Sequence, residues 1–544
     1  MDHADGAGMT TSLVVDGRPF LAIGGEVHNS SSSDAAFLAT EWGRLARTGI
    51  NTVLVSVAWS EVERAEGEFS FEIVDELLRY ARDAGLRLGV IWFGAFKNAL
   101  STYAPSWVRA DTGRFPRAVP QQDPLPTPFS YDGATAKPVL SVFSPDLAAA
   151  DARAFTAFVQ HLAMVDDAGT VIMIQVENEI GLLGSSRDHS EPAAAAWAGP
   201  VPARLIALAH EEPEALPAGV AAALADVAHG ATWASLAGSQ DDIDETFMAW
   251  AFAEYVERLA MSARPVTRVP FYTNAWLGPQ PGQDRPGQYP SGGPTARMLG
   301  LWQDAAPSLD WLSPDIYIDD TRAVLEAYAQ RSNPLFVPES RFSAGDLFVA
   351  VGALNAIGYC TFGLEDGRDG ALFFRAARSL LALWDLITAH RDSAGVWGFA
   401  LDADEQSEGH DFGDITVTVR NGPAIFARML LDVGVQLPEP EATASETLPG
   451  AIPVPADSRP FGIVIRTGPD RFVVAGQGAL FDFDSENGLV EIDEVRELIP
   501  EGGTLRPARF LNGDERLEVV PQSGIGIAEI TLVRPVPAPI AISA

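Results

Sequence analysis

The sequence predicts an α/β fold, a (β/α)8 TIM barrel, followed by an all-β, sandwich-like C-terminal domain. With 544 residues, the chain is too long for one compact core. Eight strand-like runs alternate with helical stretches up to about residue 390, the order typical of a β/α barrel. Beyond that point the runs become short and alternating, with turn residues between them. We therefore expect a catalytic barrel over 1–394 and a β-rich accessory domain over 395–544.

Each predicted barrel strand is a continuous apolar run, as expected for parallel strands that are covered on both faces. The predicted strands are residues 20–28, 51–59, 86–94, 171–181, 269–276, 310–318, 334–339 and 358–365. The clearest helices between them are residues 34–48, 71–84, 145–167 and 245–263. The stretch 182–264 is too long for a single connection, so we expect an Ala-rich helical insertion there.

In the accessory domain, the predicted strands are residues 396–401, 415–420, 462–467, 471–476 and 527–533, and 438–453 is an acidic loop with prolines. Their apolar faces need cover, so we expect this domain to dock tightly on the barrel, with Trp397 as an anchor at the junction. We also expect a homo-oligomer with an apolar or charge-poor interface centre.

Composition excludes several classes of partner. The net charge of −36 makes nucleic acid and anionic membranes poor partners and suits a neutral glycoside or oligosaccharide. One cysteine, Cys360, leaves no internal disulfide, and the eight histidines show no ligand spacing, so we predict neither a metal nor a cofactor. Without a secretion signal or an apolar run of membrane length, we expect a cytoplasmic protein.

Carboxylates cluster at the ends of two predicted strands. Strand four ends in Glu177-Asn178-Glu179, and strand seven ends in Pro338-Glu339. In a β/α barrel both ends lie on the catalytic face. Glycoside hydrolysis needs two carboxyl groups, one acid and one nucleophile or base, so the sequence indicates a glycosidase.

Motifs along nearly the whole chain resemble glycoside hydrolase family 35, the β-galactosidase family. The likeness is greatest to its compact bacterial branch, which has an uncharacterised β-rich C-terminal domain. The motifs lie at residues 24–30, 92–98, 101–105, 175–181, 274–277, 314–317, 333–339 and 511–515. Ile180 stands where the family often has Tyr, and the insertion is unusually Ala-rich, which affects the outer subsites more than the chemistry.

The resemblance implies retention of anomeric configuration, no obligatory metal, and an acid/base at the residue after Asn. Glu179 is then the general acid/base and Glu339 the nucleophile. Glu177 is expected to be a structural ion-pair partner, although it would share the side of Glu179 if the strand continued. Asn178 is expected to bind the sugar 2-hydroxyl, and Tyr317 to donate a hydrogen bond to Glu339.

Other candidates for sugar binding are polar or aromatic residues at or near strand ends, where hydroxyls and sugar faces are recognised. They are Glu26, His28, Trp59, Trp92, Lys97, Asn98, Asn274, Trp276, Phe362 and Glu365. Each of them alternatively fits a core or rim position. The sequence also leaves open another exo-specificity (glucosidase, fucosidase or oligosaccharide-specific) and a catalytically inactive carbohydrate-binding protein.

Overall fold

The computed structural model describes residues 12–121, 125, 139–227, 230–330, 332–402, 405–435, 459–501 and 504–535. The predicted loop 438–453 lies outside these residues. The first part is a (β/α)8 barrel, as the sequence predicts. Its strands are β1 Ala22–Glu26, β2 Thr52–Ala58, β3 Arg87–Lys97, β4 Val171–Asn178, β5 Phe271–Trp276, β6 Trp311–Ile316, β7 Phe336–Val337 with Glu339–Ser340, and β8 Gly358–Phe362.

One helix follows each strand on the outside of the barrel. These helices are α1 Ala35–Thr48, α2 Glu72–Ala84, α3 Pro145–Val165, α4 Gln240–Ala263, α5 Leu299–Ala305, α6 Thr321–Tyr328, α7 Ala344–Gly352 and α8 Leu372–His390. Local sequence explains their ends. The Asp34 carboxylate accepts the N–H groups of Ala36 and Phe37 at the start of α1, and Gly49 ends that helix in the left-handed conformation.

Strand β7 closes the barrel in two halves. Phe336 and Val337 pair with β8, whereas Glu339 and Ser340 pair with β6. Pro338 lies between the halves and has no N–H to give to a ladder. Pro338 therefore divides the strand into one half that pairs with β8 and another half that pairs with β6 and carries Glu339.

The connections contain the remaining elements. An N-terminal hairpin, Leu13–Val15 with Arg18–Phe20, precedes β1, and Leu13 packs with side chains inside the barrel. The predicted insertion is present as three helices before α4: Glu191–Ala198, Ala203–Glu211 and Ala218–Ala225. Among the helices that the structure describes, none is both long and apolar enough to cross a membrane.

The C-terminal part is a two-sheet arrangement. Its strands are β9 Val396–Ala400, β10 Ser407–Asp411, β11 Thr416–Asn421, β12 Phe461–Gly468, β13 Arg471–Gln477, β14 Ala479–Asp484, β15 Glu491–Glu501, β16 Thr504–Phe510 and β17 Gly526–Val533. Six form the sheet β9-β12-β13-β17-β15-β16, and three form β10-β11-β14. Helices Gly422–Asp432 and Asp514–Glu518 lie in its connections.

The larger sheet packs on the barrel through one face and on the smaller sheet through the other. Phe461 and Ile463 belong to the core that the sheet shares with the barrel helices. Phe399 and Val464 belong to a second core within the accessory domain. Trp397 also lies in this second core, stacked on His410, so it does not anchor the domain to the barrel as the sequence analysis expects.

Candidate active site

The ends of five barrel strands bring four carboxyl groups and one ammonium group together. Glu26 ends β1, Lys97 ends β3, Glu179 follows β4, Asp315 lies in β6 and Glu339 begins the second half of β7. All five side chains are buried, and their charges act on one another. The two glutamates that the sequence assigns to catalysis therefore meet in one cluster.

The pKa of Glu179 is raised to about 8. Burial is the main cause, and the charge of Glu339 adds to it, whereas Lys97 and a contact with Asp315 oppose it. Glu179 is therefore protonated at neutral pH. Its backbone is left-handed, with φ 45°, and its N–H donates to Asn274 Oδ1 at 2.9 Å.

Glu339 has one neutral donor in direct contact. Tyr317 Oη donates to Glu339 Oε2 at 2.8 Å, which is the contact that the sequence analysis expects. Glu339 Oε1 is buried and receives no hydrogen bond from an N–H or hydroxyl group of the described residues, and the Glu26 carboxyl lies in hydrogen-bond contact with Glu339. One acceptor oxygen of Glu339 is thus available to a further group.

Glu26 and Asp315 provide further acceptor oxygens. Burial and the nearby charge of Glu339 raise the pKa of both carboxyl groups well above its ordinary value. The Glu26 carboxyl contacts that of Glu339, and the Asp315 carboxyl contacts that of Glu179. Both oxygens of Glu26 and Oδ1 of Asp315 are buried and receive no hydrogen bond from an N–H or hydroxyl group in the part of the chain described. Buried polar atoms are normally satisfied, so these atoms mark places where a ligand or water donates hydrogens.

Lys97 is the positive charge of the cluster. Burial lowers its pKa, but the carboxylates of Glu339, Glu26 and Glu179 outweigh this effect, and the pKa is raised overall. Its ammonium also lies over the ring of Phe93, 4.9 Å from the centroid. Lys97 therefore stays charged and offsets part of the negative charge.

Four amide side chains fix the floor of the site. Asn178 Oδ1 accepts from Gln175 at 2.9 Å and from Asn274 at 3.3 Å, and its Nδ2 donates to Asn98 Oδ1 at 3.3 Å. Asn274 Nδ2 also donates to Asp315 Oδ2 at 2.6 Å. This chain of contacts orients the carboxyl of Asp315 and the backbone of Glu179.

His28, Trp276, Phe362 and Glu365 are partly exposed around the mouth of the barrel. His28 contacts Asp366 Oδ2 at 2.8 Å and the edge of Phe362. Glu365 Oε1 accepts from the His28 N–H and from Ser31, so it ties the loop after β1 to the loop after β8. These four residues therefore belong to the rim of the barrel rather than to the buried cluster.

Two of the predicted sugar-binding residues do not lie in the site. Trp59 and Trp92 are fully buried in the core between the barrel and its helices. The Trp59 indole donates to Glu63 Oε2 at 2.7 Å, and the Trp92 indole donates to Asp151 Oδ1 at 2.9 Å. Trp92 faces α3 because it has the opposite strand parity to Phe93, which faces the site.

Glu177 also departs from its prediction. Its backbone is left-handed, with φ 63°, so the pleat does not continue to Glu179. Its carboxyl faces α3 and accepts the N–H groups of Ala95 and Phe96 beside Asp151. Glu177 is structural, as expected, but its partners are N–H groups and another carboxyl rather than a cation.

Sequence reasoning missed Phe93, Asp151 and Asp315 as parts of the site or its support. Asp315 could have been found, because it is two residues before Tyr317 and so shares its face of β6. Cys360 is buried as expected, and burial raises the pKa of its thiol. No group of three or more His, Cys, Asp or Glu side chains in the described ranges is placed to hold a metal ion.

Comparison with known proteins identifies one domain family and several similar folds. Residues 377–520 match a domain of unknown function, DUF5597. This match covers the end of the barrel and much of the accessory domain, less than half of the chain. A search of the curated proteins finds no match.

Three solved structures illustrate the similar folds. The catalytic domain of β-amylase from Paenibacillus polymyxa is 14% identical, with TM-score 0.41, over 64% of this chain and 93% of that one. A β-galactosidase from the psychrophilic Marinomonas ef1 is 13% identical, with TM-score 0.43, over 68% and 60%. A β-galactosidase from Bacillus circulans sp. alkalophilus is 12% identical, with TM-score 0.49, over 95% and 100%. At these scores the barrel assignment rests on strand pairing alone.

Proposed function

We propose that this chain is a retaining, exo-acting glycoside hydrolase that removes terminal non-reducing β-D-galactosyl residues. The observation that carries the proposal is the pairing of Glu179, protonated at neutral pH, with Glu339 across the barrel mouth, where the charge of Glu339 acts on Glu179. The sequence motifs that resemble glycoside hydrolase family 35 support the choice of sugar. Membership of that family and a cytoplasmic location are part of the proposal.

In the first step, Glu179 protonates the glycosidic oxygen as Glu339 attacks the anomeric carbon. A carboxyl group with a pKa of about 8 carries the required proton at neutral pH. The bond between the anomeric carbon and the leaving oxygen breaks, and Glu339 forms a covalent glycosyl ester. Glu179 is then a carboxylate and can act as the base in the second step.

In the second step, Glu179 takes a proton from water, and the water oxygen displaces Glu339 from the anomeric carbon. Two inversions at the same carbon give net retention. Tyr317 donates to Glu339 Oε2, so it steadies the carboxylate when that group leaves. Lys97 keeps a positive charge close to both carboxyls through the cycle.

The remaining polar atoms suit a neutral sugar. Glu26 and Asp315 present buried carboxyl oxygens that receive no hydrogen bond from an N–H or hydroxyl group of the described residues, and these match the O–H groups of a sugar ring. Three of the four carboxyl groups have raised pKa values, and the charge of Lys97 offsets that of Glu339, so the cluster has no excess positive charge to hold an anionic sugar. The substrate class is therefore a neutral glycoside.

A stereochemical assay tests the proposal. The intact protein is incubated with nitrophenyl β-galactoside, and the sugar released in the first minutes is followed by NMR. We expect the β-anomer first, with the α-anomer appearing only by mutarotation. Initial α-anomer would refute retention, and a faster reaction with the β-glucoside or β-fucoside would refute the choice of galactose.

A further inference from the structure

A second pair of carboxyl groups lies behind the candidate active site, on the side of β4 that faces α3. Glu177 and Asp151 are both completely buried. Their oxygens accept from five contacts: Glu177 from the N–H groups of Ala95 at 3.1 Å and Phe96 at 2.8 Å, and Asp151 from Trp92 at 2.9 Å, Ala95 at 3.0 Å and Tyr255 at 2.7 Å. None of these donors is a cation.

The Ala95 N–H brings the two carboxyl groups into contact. The Ala95 nitrogen lies 3.1 Å from Glu177 Oε1 and 3.0 Å from Asp151 Oδ2, so both oxygens accept from the same N–H group. Two ionised carboxylates cannot share such a place in a dry interior, because burial and mutual repulsion favour a proton between them. Burial raises the pKa of both groups, and the charge of Asp151 raises that of Glu177 further.

This pair accepts backbone N–H groups at a place where the hydrogen-bond ladder between β3 and β4 is interrupted. The pairing stops after Trp92–Val176 and resumes at Lys97–Asn178, so the extra β3 residues have no ladder partner on β4. The carboxyls of Glu177 and Asp151 accept the N–H groups of Ala95 and Phe96 within this interruption. A Cβ on Gly94 would lie 2.4 Å from Glu177 Oε1, so the backbone passes directly against the pair.

The interruption leads directly to the site. Lys97 follows it, and beyond Lys97 the N–H of Asn98 donates to the Asn178 carbonyl at 3.1 Å and that of Ala99 to the Glu179 carbonyl at 3.2 Å. The end of β3, with Lys97, is thereby fixed to the end of β4, with Glu179. The geometry of the pair therefore sets where the ammonium and the general acid stand relative to each other.

We propose that Glu177 and Asp151 share one proton and act as a positioning pair that holds the Lys97 end of β3 against the Glu179 end of β4. The effect on catalysis rests on the proposed function. The shared proton and the positioning do not, because each has a readout that needs no substrate. The groups facing the pair are Tyr255 from α4 and Trp92 with two N–H groups from β3, and Arg258 acts through Tyr255.

The experiment compares three variants of the full chain with wild type. In Asp151→Asn, an amide N–H takes the place of the shared proton and donates to Glu177. The amide nitrogen accepts no hydrogen bond, so the Ala95 N–H is then held by Glu177 Oε1 alone. In Asp151→Ala the contact is lost. Asp166→Asn is the control: Asp166 accepts the N–H groups of Thr170 and Val171 at the other end of β4, far from the site, and also pairs with Arg82.

Hydrogen exchange of the peptide covering 93–99 reads the positioning directly. We expect its amides to exchange faster in Asp151→Ala, at wild-type rates in Asp166→Asn, and close to wild-type rates in Asp151→Asn. Unchanged exchange in folded Asp151→Ala would overturn the positioning role. If Asp151→Ala fails to fold, accelerated exchange at 93–99 in Asp151→Asn would overturn it, because the amide would then not replace the proton.

The pH dependence of unfolding reads the proton. A carboxyl with a raised pKa in the folded state contributes stability that is complete below its unfolded pKa, about 4, and is lost as pH rises through the folded pKa. Wild type should therefore lose stability with rising pH relative to Asp151→Asn, by a slope of about one proton in that window. Parallel curves for the two proteins would overturn the shared proton.

Kinetics then connect the pair to the reaction. For Asp151→Ala we expect kcat to fall roughly 10- to 100-fold, the effect of a small misplacement of catalytic groups, with a displaced basic limb in the pH profile. Asp166→Asn should lower stability alone. Wild-type kcat and pH profile in folded Asp151→Ala would reduce the pair to a structural role. A wild-type protein without glycosidase activity would refute the proposed function, and the exchange and unfolding results would still decide on the pair.

Discussion

The left-handed backbone conformation of Glu179 helps to fix where its carboxyl group lies. A left-handed conformation costs a residue other than glycine about 1–3 kcal/mol and persists where neighbouring contacts impose it. Here the N–H of Glu179 donates to Asn274 and its carbonyl accepts from Ala99. The backbone of Glu179 is thus held from both sides.

The assignment of roles to the two glutamates predicts different defects on their removal. Glu339→Gln should lower kcat by roughly 10⁴- to 10⁶-fold on every substrate, because no other group can form the ester. Glu179→Ala should lose about 10²- to 10⁴-fold on poor leaving groups but react well with activated aryl glycosides, since these need little proton assistance. Azide should rescue Glu179→Ala and give a β-glycosyl azide. Equal behaviour of both variants on an activated substrate would show that the roles are wrong.

The pKa of Glu179 predicts the basic limb of the pH profile. The acid must be protonated in the free enzyme, so kcat/KM should fall as pH rises past about 8. Lys97 lowers this pKa, so Lys97→Met should move the limb to higher pH while reducing activity. Profiles measured with the same aryl glycoside check both shifts. A limb that stays in place in Glu179→Ala would belong to another group.

At this scale the sequence predicted the carboxyls and the Tyr317 contact but not the direction of every side chain. Strand ends can be recognised from apolar runs, so Glu26, Glu179 and Glu339 were expected near one another. Trp92 was misassigned because two adjacent residues of a strand face opposite sides, and nothing in a fully apolar run distinguishes them. Glu177 was misassigned in part because its left-handed backbone depends on contacts with β3 that are distant in sequence.

Strand β3 has no room for a larger side chain at Gly94. A Cβ on Gly94 would meet Glu177 Oε1, Trp92 Nε1 and Asp151 Oδ2 at 2.4–2.8 Å. Gly94→Ala should therefore cost about 1–3 kcal/mol of unfolding free energy, the usual cost of overpacking, and reduce kcat. Denaturant unfolding and nitrophenyl glycoside assays measure the two effects. Gly67→Ala, whose Cβ would have open space, is the control for substitution of an exposed glycine, although its left-handed φ adds some strain.

The elements themselves were largely predictable. The eight barrel strands follow from local apolar pattern, and the structure confirms them. The division of β7 was not predicted, although Pro338 is visible in the sequence. Whether a proline ends a strand or divides it depends on which neighbours offer ladder partners, and that is a property of the closed barrel.

At the scale of the whole molecule, the barrel and the accessory domain share a core. Phe348 of α7 packs against Phe461 of β12, with ring centroids 5.3 Å apart, and Arg459 contacts Asp346 at 3.1 Å. Truncation after residue 394 would expose the apolar sides of α7 and α8. We expect the isolated barrel to be insoluble or inactive. A soluble, fully active barrel would contradict the docking seen here.

The homo-oligomer remains a prediction. With a net charge of −36, two copies repel each other unless their interface is apolar or charge-poor at its centre. We expect light scattering on the intact chain to give a mass of at least twice 58.0 kDa, with little dependence on salt. A mass equal to one chain at high protein concentration would reject it, and dissociation on adding salt would show that the contacts are ionic instead.

Two facing glycines, Gly352 and Gly398, limit which other barrels can be joined to this accessory domain. A Cβ on Gly398 of β9 would lie 2.2 Å from the carbonyl oxygen of Phe348, and a Cβ on Gly352 of α7 would lie 2.7 Å from Gly398 Cα. A barrel from another enzyme, joined in front of residue 395, therefore accepts this accessory domain only if its seventh helix also ends in a glycine at that place. The natural crossover point for a chimaera therefore lies before α7 rather than at the boundary between the domains, so α7, β8 and α8 are inherited together with the accessory domain.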